Sequence, residues 1–123
     1  MSTSTIETFP NPRPEREFEI AIDCPEFTCL CPKTGQPDFG TITIAFEPDE
    51  LCLESKSLKL YLWGYRDKGA FCEALADQIA RDIYDAIRPW NITVTNEQNI
   101  RGGIGTVSTA TIHRNLTTAK EAS

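Results

Sequence analysis

One long amphipathic segment in the second half of the chain constrains the fold more than any other feature. Apolar side chains recur there at helical spacing, while charged side chains occupy a different face. The apolar positions are Phe71, Leu75, Ile79, Ile83 and Ile87, and the charged positions are Asp77, Arg81 and Asp85. This pattern predicts a helix over about 69–88 that ends before Pro89.

Four shorter segments around this helix have the composition or alternation of β-strands. They are 18–23, 40–47, 91–97 and 105–113. In the second of them, Thr41 and Thr43 alternate with the apolar Ile42, Ile44 and Phe46. The alternation predicts a sheet with one apolar face and a second face that is wet or packed on a partner.

A second, shorter helix is predicted over 56–66, and the turn at 67–69 separates it from the long helix. The order strand, strand, helix, helix, strand, strand predicts an α+β domain in which two helices cover one face of an antiparallel sheet of four main strands. We expect residues 1–17, which hold three prolines, to form an extended or disordered arm. Residues 18–114 then form the domain, and 115–123 form a polar tail.

Length and charge limit the possible functions. The 123 residues are the size of one domain, and a domain this small gains stability from oligomerisation. The net charge of −6 disfavours direct binding to nucleic acid, and no apolar run reaches the roughly 20 residues of a membrane span. Met1–Thr5 lack the basic and apolar start of a secretory signal, so we expect a cytoplasmic protein.

A cysteine and an aspartate lie seven positions apart in the segment FTCLCPKTGQPDFG at 27–40. The residues 34–37 can turn the chain, so that the thiol of Cys31 and the carboxyl of Asp38 can meet. Lys33 can favour the thiolate, which is the form that attacks an electrophilic carbon, and Asp38 can shuttle the proton. The alternative is a small buried thiol beside a turn-forming aspartate.

Together with ESKSLKLYLWGYR at 54–66, Glu73 and RGG at 101–103, this segment resembles the 7-cyano-7-deazaguanine reductases of the queuosine pathway. The similarity covers about 18–113 and is to the short, single-domain type, which has the tunnelling fold. It implies NADPH-dependent reduction of the nitrile of 7-cyano-7-deazaguanine to an aminomethyl group, in a pathway of tRNA modification. It also implies a homo-oligomer, built as rings of subunits with active sites between them, so that Cys31 and Glu73 can act across chains.

The resemblance assigns roles to individual residues. It implies that Cys31 forms a covalent thioimide and that Asp38 is the proton donor. The residues implied to hold the base are Leu53, Glu54, Ser55 and Glu73, together with position 72. The stretch ESKSLK at 54–59 is typical of the NADPH-dependent branch.

Glu73 lies where the first turn of the long helix is predicted, and there the helix dipole stabilises a carboxylate. Its carboxylate can accept two hydrogen bonds from a guanine-like edge, although a glutamate is favourable at any helix start. Lys56, Lys59 and Arg101 are cations in an acidic protein and are candidates to contact the NADPH phosphates. Arg101 also precedes two glycines whose backbone amides can approach a phosphate. The alternative is a solvated helix face and a simple turn.

Position 72 departs from the family pattern, which usually has histidine where this chain has Cys72. A thiol cannot supply the cation that a histidine can, although Cys72 can equally be a small apolar neighbour of the helix start. No metal is expected, because the cysteine spacings are not those of zinc sites and His113 is the only histidine. Two other functions stay open: an amidinotransferase of the same superfamily, which adds ammonia to the thioimide, and a purine-binding module without catalysis.

Overall fold

The computed structural model of the chain describes residues 6–100 and 102–114, with Cys72 described by its backbone only. The strands are β1 (Thr8–Pro10), β2 (Ile20–Leu30), β3 (Pro37–Glu47), β4 (Leu51–Leu53), β5 (Asn91–Gln98) and β6 (Val107–His113). The helices are α1 (Ser55–Trp63) and α2 (Cys72–Ile87), and a 3₁₀ turn at Gly64–Asp67 follows α1. The predicted tail at 115–123 lies outside the described residues.

The main sheet is antiparallel, with the strand order β2-β3-β5-β6. The isoleucines of β3 and the apolar residues of β5 face the same side, as in the pair Ile44 and Val94. The apolar residues of α2 pack against that side, and Ile79 and Ile83 are fully buried there. Two helices on one face of an antiparallel sheet confirm the predicted α+β class, and Thr41 and Thr43 lie on the opposite face.

The strands β1 and β4 form a separate antiparallel pair that the sequence did not predict. Each has three residues, too few for a periodic pattern, and their pairing joins segments about 40 positions apart. Glu7 N–H donates to the Ser57 hydroxyl at 2.8 Å, and Asn11 N–H donates to the Glu50 carbonyl at 2.8 Å. Residues 8–10 of the predicted arm are therefore extended and attached to the domain.

The predicted element boundaries were wrong at several ends. Strand β2 continues seven residues beyond 23, to Leu30, because a bulge between Cys24 and Phe27 absorbs Pro25 within the strand. Helix α2 begins at Cys72 rather than 69, because Gly69 forms a parallel bridge with Leu30. Phe71 is consequently the N-cap residue and is exposed, not part of the apolar face.

The C-terminal end of α1 is attached to α2 by a polar contact between two buried tyrosines and the half-buried Asp82. The Tyr61 hydroxyl donates to the Asp82 carboxylate, and it lies 3.1 Å from the hydroxyl of Tyr65. Burial, followed by the hydrogen bond to Asp82, raises the pKa of Tyr61, so the phenol remains protonated and keeps its donor. The two helices are thereby held in a fixed relation.

Gly40 is predicted to be essential to the pairing of β3 and β5. A Cβ at this position would lie 2.5 Å from the Glu97 carbonyl oxygen and 3.0 Å from Gln98 Cα, and both are backbone atoms. Gly40→Ala should therefore lower the free energy of unfolding by about 1–3 kcal/mol, measured by urea denaturation. Gly64→Ala is the control, because a Cβ there meets no described atom within 4 Å and its φ of −60° is helical. Equal unfolding midpoints for the two variants would contradict the prediction.

Candidate active site

The turn between β2 and β3 carries Cys31. The Cys31 N–H donates to the Gln36 carbonyl at 2.8 Å, and the Gly35 N–H donates to the Cys31 carbonyl at 2.8 Å. Gly35 has a φ of 75°, a conformation that glycine adopts without steric cost. The predicted turn is thus present, and it holds the half-buried Cys31 at one end of the sheet.

The same hairpin brings Asp38 to the thiol. Asp38 is paired directly with Cys29 across the hairpin, two residues from Cys31. It lies on the side of β3 that carries Gly40 and Ile42, and its carboxylate charge acts on the Cys31 thiol. The hairpin therefore places Asp38 near Cys31, on the neighbouring strand.

Hydrogen bonds from the turn lower the pKa of Cys31. The backbone N–H and then the hydroxyl of Thr34 are the largest causes, followed by the backbone N–H of Lys33. Burial and the Asp38 charge oppose this effect and are outweighed. The contribution of Lys33 thus comes from its backbone, not from the ammonium group that we expected to act. Thr34 was missed by the sequence analysis, although a hydroxyl three residues after a reactive cysteine in a turn is a usable signal.

The start of α2 is held beside this hairpin. Leu30 N–H donates to the Lys68 carbonyl, and Ala70 N–H donates to the Leu30 carbonyl, both at 3.0 Å. Glu73, the second residue of α2, follows three positions after Ala70. This short connection keeps the backbone of Glu73 near the hairpin. The structure thus gathers Cys31, Asp38 and Glu73 at one end of a single chain. The side chain of Cys72 lies outside the described residues.

The other residues predicted to hold the base lie at the start of α1. Leu53 is buried in β4, and the exposed Ser55 is the first residue of α1. The Glu54 carboxylate caps α1, accepting from Ser57 N–H at 2.7 Å and from Lys56 N–H at 3.1 Å. These two bonds lower the pKa of Glu54, so its carboxylate already has a structural partner.

A helix length separates that group from Cys31. The C-terminal end of α1 is the end near the hairpin, because Tyr65 packs on Phe27 of β2 with ring centroids 5.6 Å apart. A helix of nine residues is roughly 13 Å long, which places Ser55 at the far end. Within one chain, the structure does not bring the 53–55 segment together with Cys31.

A groove of about 510 Å³ runs between β2 and α1. Lys59 and the exposed Trp63 line it from α1, and Asp23, Cys24 and Glu26 line it from β2. The Lys59 ammonium and the Arg66 guanidinium lie 5.1 and 5.3 Å from the Trp63 ring. The two cations and the Trp63 ring suit an anionic ligand with a planar ring, whereas Asp23 and Glu26 on the β2 side repel negative charge. The sequence analysis did not identify Trp63 and Arg66 as site residues. The available signal was an aromatic and a basic side chain close together in the helix predicted over 56–66.

The remaining cofactor candidates are less informative. Lys56 is exposed but does not line the groove, and Arg101 lies outside the described residues. The glycines after it, Gly102 and Gly103, both have positive φ, at 61° and 82°. Within residues 6–100 and 102–114, no three His, Cys, Asp or Glu side chains are grouped as a metal site. None of the described helices is long and apolar enough to cross a membrane.

Residues 37–117 match the family model described as QueF-like protein. The chain belongs to this family. Its similarity to curated members extends over most of its length, as the motifs predicted. The NADPH-dependent 7-cyano-7-deazaguanine reductase of Anaeromyxobacter sp. (strain Fw109-5) is 57% identical over 105 residues, covering 85% of this chain and 86% of that protein. The protein of the same name from Halorhodospira halophila is 52% identical over 111 residues, covering 90% and 94%.

A solved QueF-like structure supports the fold. The apo crystal structure of the archaeosine synthase QueF-Like superimposes with a TM-score of 0.67 and covers 77% of this chain and 91% of that one. The two sequences are only 18% identical, so this likeness establishes a common fold and nothing about the reaction.

The lowered pKa of Cys31 predicts its order of reaction with iodoacetamide. Because its thiolate forms at lower pH, Cys31 should be alkylated at lower pH than Cys24 and Cys52, whose pKa values are raised by burial. Thr34→Ala removes the hydroxyl donor and should move the Cys31 alkylation midpoint to higher pH. Peptide mass spectrometry over a pH series measures both effects. Thr109→Ala, an exposed position on β6, is the control, and a midpoint shared by all three proteins would refute the role of Thr34.

Proposed function

We propose that this chain is an NADPH-dependent reductase that converts the nitrile of 7-cyano-7-deazaguanine to the aminomethyl group. The observation that carries the proposal is that one hairpin holds both Cys31, a thiol whose pKa the turn lowers, and Asp38, which pairs with Cys29 two residues before Cys31 and whose charge acts on the thiol. A nitrile carbon is a poor hydride acceptor, and a thiolate placed beside an acid is suited to activate it. The names of the curated relatives agree with this reaction.

The first step forms the covalent adduct. The Cys31 thiolate adds to the nitrile carbon, one of the two C≡N π bonds breaks, and the nitrogen takes a proton from Asp38. The product is a thioimide, S–C(=NH)–. When bound, NADPH supplies hydride to this carbon twice, so that reduction of the nitrile uses two NADPH and two protons in all. Between the two reductions the C–S bond breaks and Cys31 is released.

Asp38 is suited to each protonation of the nitrogen. It is the carboxyl whose charge acts on Cys31, and its position on the strand keeps it at the reacting end. A general acid contributes about 10²–10⁴-fold to such a step. We propose that Glu73, in the first turn of α2, accepts the N1–H and 2-amino hydrogens of the base through its two oxygens.

NADPH fits the residues of the groove between β2 and α1. Lys59 offers an ammonium group for a phosphate, and Trp63 offers an exposed aromatic face. Lys56 and Arg101 remain candidates for further phosphate contacts. Because no reduction is possible without a hydride donor, these side chains serve to hold and orient NADPH rather than to react.

We infer that the active site is completed between subunits of a homo-oligomer. Cys31, Asp38 and Glu73 come from one end of a chain, while the 53–55 segment lies a helix length away. If both groups hold the same base, the 53–55 segment must come from a neighbouring subunit. Cys31 and Glu73 then act within one chain and not across chains.

The substrate is a small molecule, and the net charge of −6 makes direct nucleic-acid binding unfavourable. Absence of nucleic-acid binding and location in the cytoplasm stay predictions.

The reductase activity is tested by mixing the protein with 7-cyano-7-deazaguanine and NADPH. We expect loss of nicotinamide absorbance and a product four mass units heavier than the nitrile, as addition of four hydrogens requires. Cys31→Ala should bind the nitrile but oxidise no NADPH, because only the covalent step is removed. Without NADPH, intact-mass measurement should find an adduct on the native chain and none on Cys31→Ala.

An amidine formed from ammonia without reductant would identify an amidinotransferase instead, and binding without any product would identify a purine-binding module.

The subunit arrangement is tested by mixing inactive variants. Ser55→Trp should block the base at one half of the interface, and Cys31→Ala removes the nucleophile from the other half. Co-expressed in equal amounts, they should regain about a quarter of the native activity, because one interface in four then pairs two intact halves. Glu73→Gln should weaken base binding by about 1–3 kcal/mol. Co-expression of the Glu73→Gln chain with the Cys31→Ala chain should give no gain in activity, since both changes affect the same half of the interface. A gain in this control and none in the first mixture would place Cys31 and Glu73 in different chains.

A further inference from the structure

Gln98, the last residue of β5, has a buried side-chain oxygen that the fold itself does not use. Gln98 is only 9% exposed, and its Nε2 donates to Asn96 Oδ1 at 2.7 Å. In the part of the chain that the structure describes, no donor lies within hydrogen-bond distance of Gln98 Oε1. A buried carbonyl without a donor is costly, and native proteins keep few of them. Such an oxygen is a candidate for contact with a bound molecule.

The register of the sheet places this oxygen at the catalytic end. Gln98 is paired with Gly40, and Gly40 is paired with Phe27, so the three form one row across the sheet. Two residues further towards the turn, on the same face of the sheet, is the pair Cys29 and Asp38. Rows two residues apart are separated by about 7 Å, which a glutamine side chain and a bound group can bridge.

Gly40 leaves room for the Gln98 amide on the side of the sheet where Asp38 lies. A Cβ on Gly40 would be 3.1 Å from Gln98 Nε2, so the amide lies directly over the glycine. Asp38 and Gly40 are two positions apart on β3 and therefore face the same side. The amide and the Asp38 carboxyl are diagonal neighbours with no side chain at position 40 between them.

We propose that Gln98 Oε1 accepts a hydrogen bond from the reacting nitrogen once that nitrogen carries a proton, an inference that rests on the proposed reductase function. The nitrile nitrogen has only a lone pair and offers nothing to a carbonyl oxygen. After the Cys31 thiolate adds to carbon and Asp38 transfers its proton, the nitrogen of the thioimide carries an N–H. This N–H donates to Gln98 Oε1.

The contact favours the adduct over the bound nitrile. An interaction that forms only as the N–H develops stabilises the transition state without tightening substrate binding. Gln98 is already held by Asn96, so its oxygen requires little reorganisation when the proton arrives. An apolar residue at position 98 would avoid the cost of the unpaired oxygen, and the contact with the adduct accounts for a glutamine there.

The test is Gln98→Met, which keeps the length of the side chain and removes the amide. We expect turnover to fall about tenfold or more, while the affinity for the nitrile, measured by calorimetry on Cys31→Ala with and without the second change, stays within about twofold. The melting temperature should remain close to that of the native protein. If Gln98→Met does not fold, Gln98→Asn draws the oxygen back by one methylene and should show the same division between turnover and affinity.

Asn11→Leu is the matched control, because Asn11 is another buried amide and its two polar ends are both used. Its Nδ2 donates to the Asp49 carbonyl at 2.8 Å, and its Oδ1 accepts from Arg13 N–H at 3.0 Å. Asn11 thus lies beyond the C-terminal end of β3, whereas Asp38 lies at its N-terminal end. This variant should melt at lower temperature and keep its turnover per folded molecule.

Turnover of the Gln98 variant within about twofold of native would overturn the inference. A loss of nitrile affinity equal to the loss in turnover would also overturn it, since Gln98 would then hold the base and not the adduct. If the native protein itself oxidises no NADPH with the nitrile, the proposed function fails, which is a separate result.

Discussion

Two backbone hydrogen bonds of Leu30 hold the hairpin that carries Cys31 to the segment that leads into α2. They join Leu30 to Lys68 and Ala70, and each contributes about 1 kcal/mol net. Their importance is geometric, since they fix the position of Cys31 relative to the start of α2. The segment is itself anchored by Tyr65, which packs on Phe27 and touches Tyr61. The position of Cys31 therefore depends on the contact between the helices as well as on the turn.

The reactivity of Cys31 comes from the turn more than from any cation. The N–H and O–H donors of Thr34 and the N–H of Lys33 lower the pKa of the half-buried Cys31, and they outweigh the opposing effect of burial. The Asp38 carboxylate charge opposes the thiolate, and the hydrogen bonds of the turn outweigh this effect.

The sequence predicted those parts of the molecule that depend on local periodicity or on a compact motif. The apolar face of α2, the alternation along β3 and the placement of Asp38 near Cys31 are of this kind, because each is determined within a few residues. The pairing of β1 with β4 and the N-terminal limit of α2 were not predictable in this way. Both depend on backbone contacts between segments distant in sequence, such as the bridge from Leu30 to Gly69.

The candidate site shows the same division. Glu54 matches a family motif, yet its carboxylate caps α1, and only the structure shows that two backbone N–H groups already occupy it. The unpaired oxygen of Gln98 has no sequence signal at all, because it depends on the register that sets Gln98 opposite Gly40. The distance between Ser55 and Cys31 likewise follows from the length and direction of α1.

That distance gives a physical reason for association of subunits. In the described part of the main sheet, β2 and β6 are edge strands, and edge strands offer unpaired backbone groups to another chain. Exposed apolar side chains occur at the same end as Cys31, with Ile100, Ile104 and Val107 all more than 60% exposed. Burying them against a second copy would stabilise a domain of only 123 residues, because a domain this small buries only about two thirds of the surface that its unfolded chain exposes. The same contact would bring a second chain to the end of the sheet that carries Cys31 and Asp38.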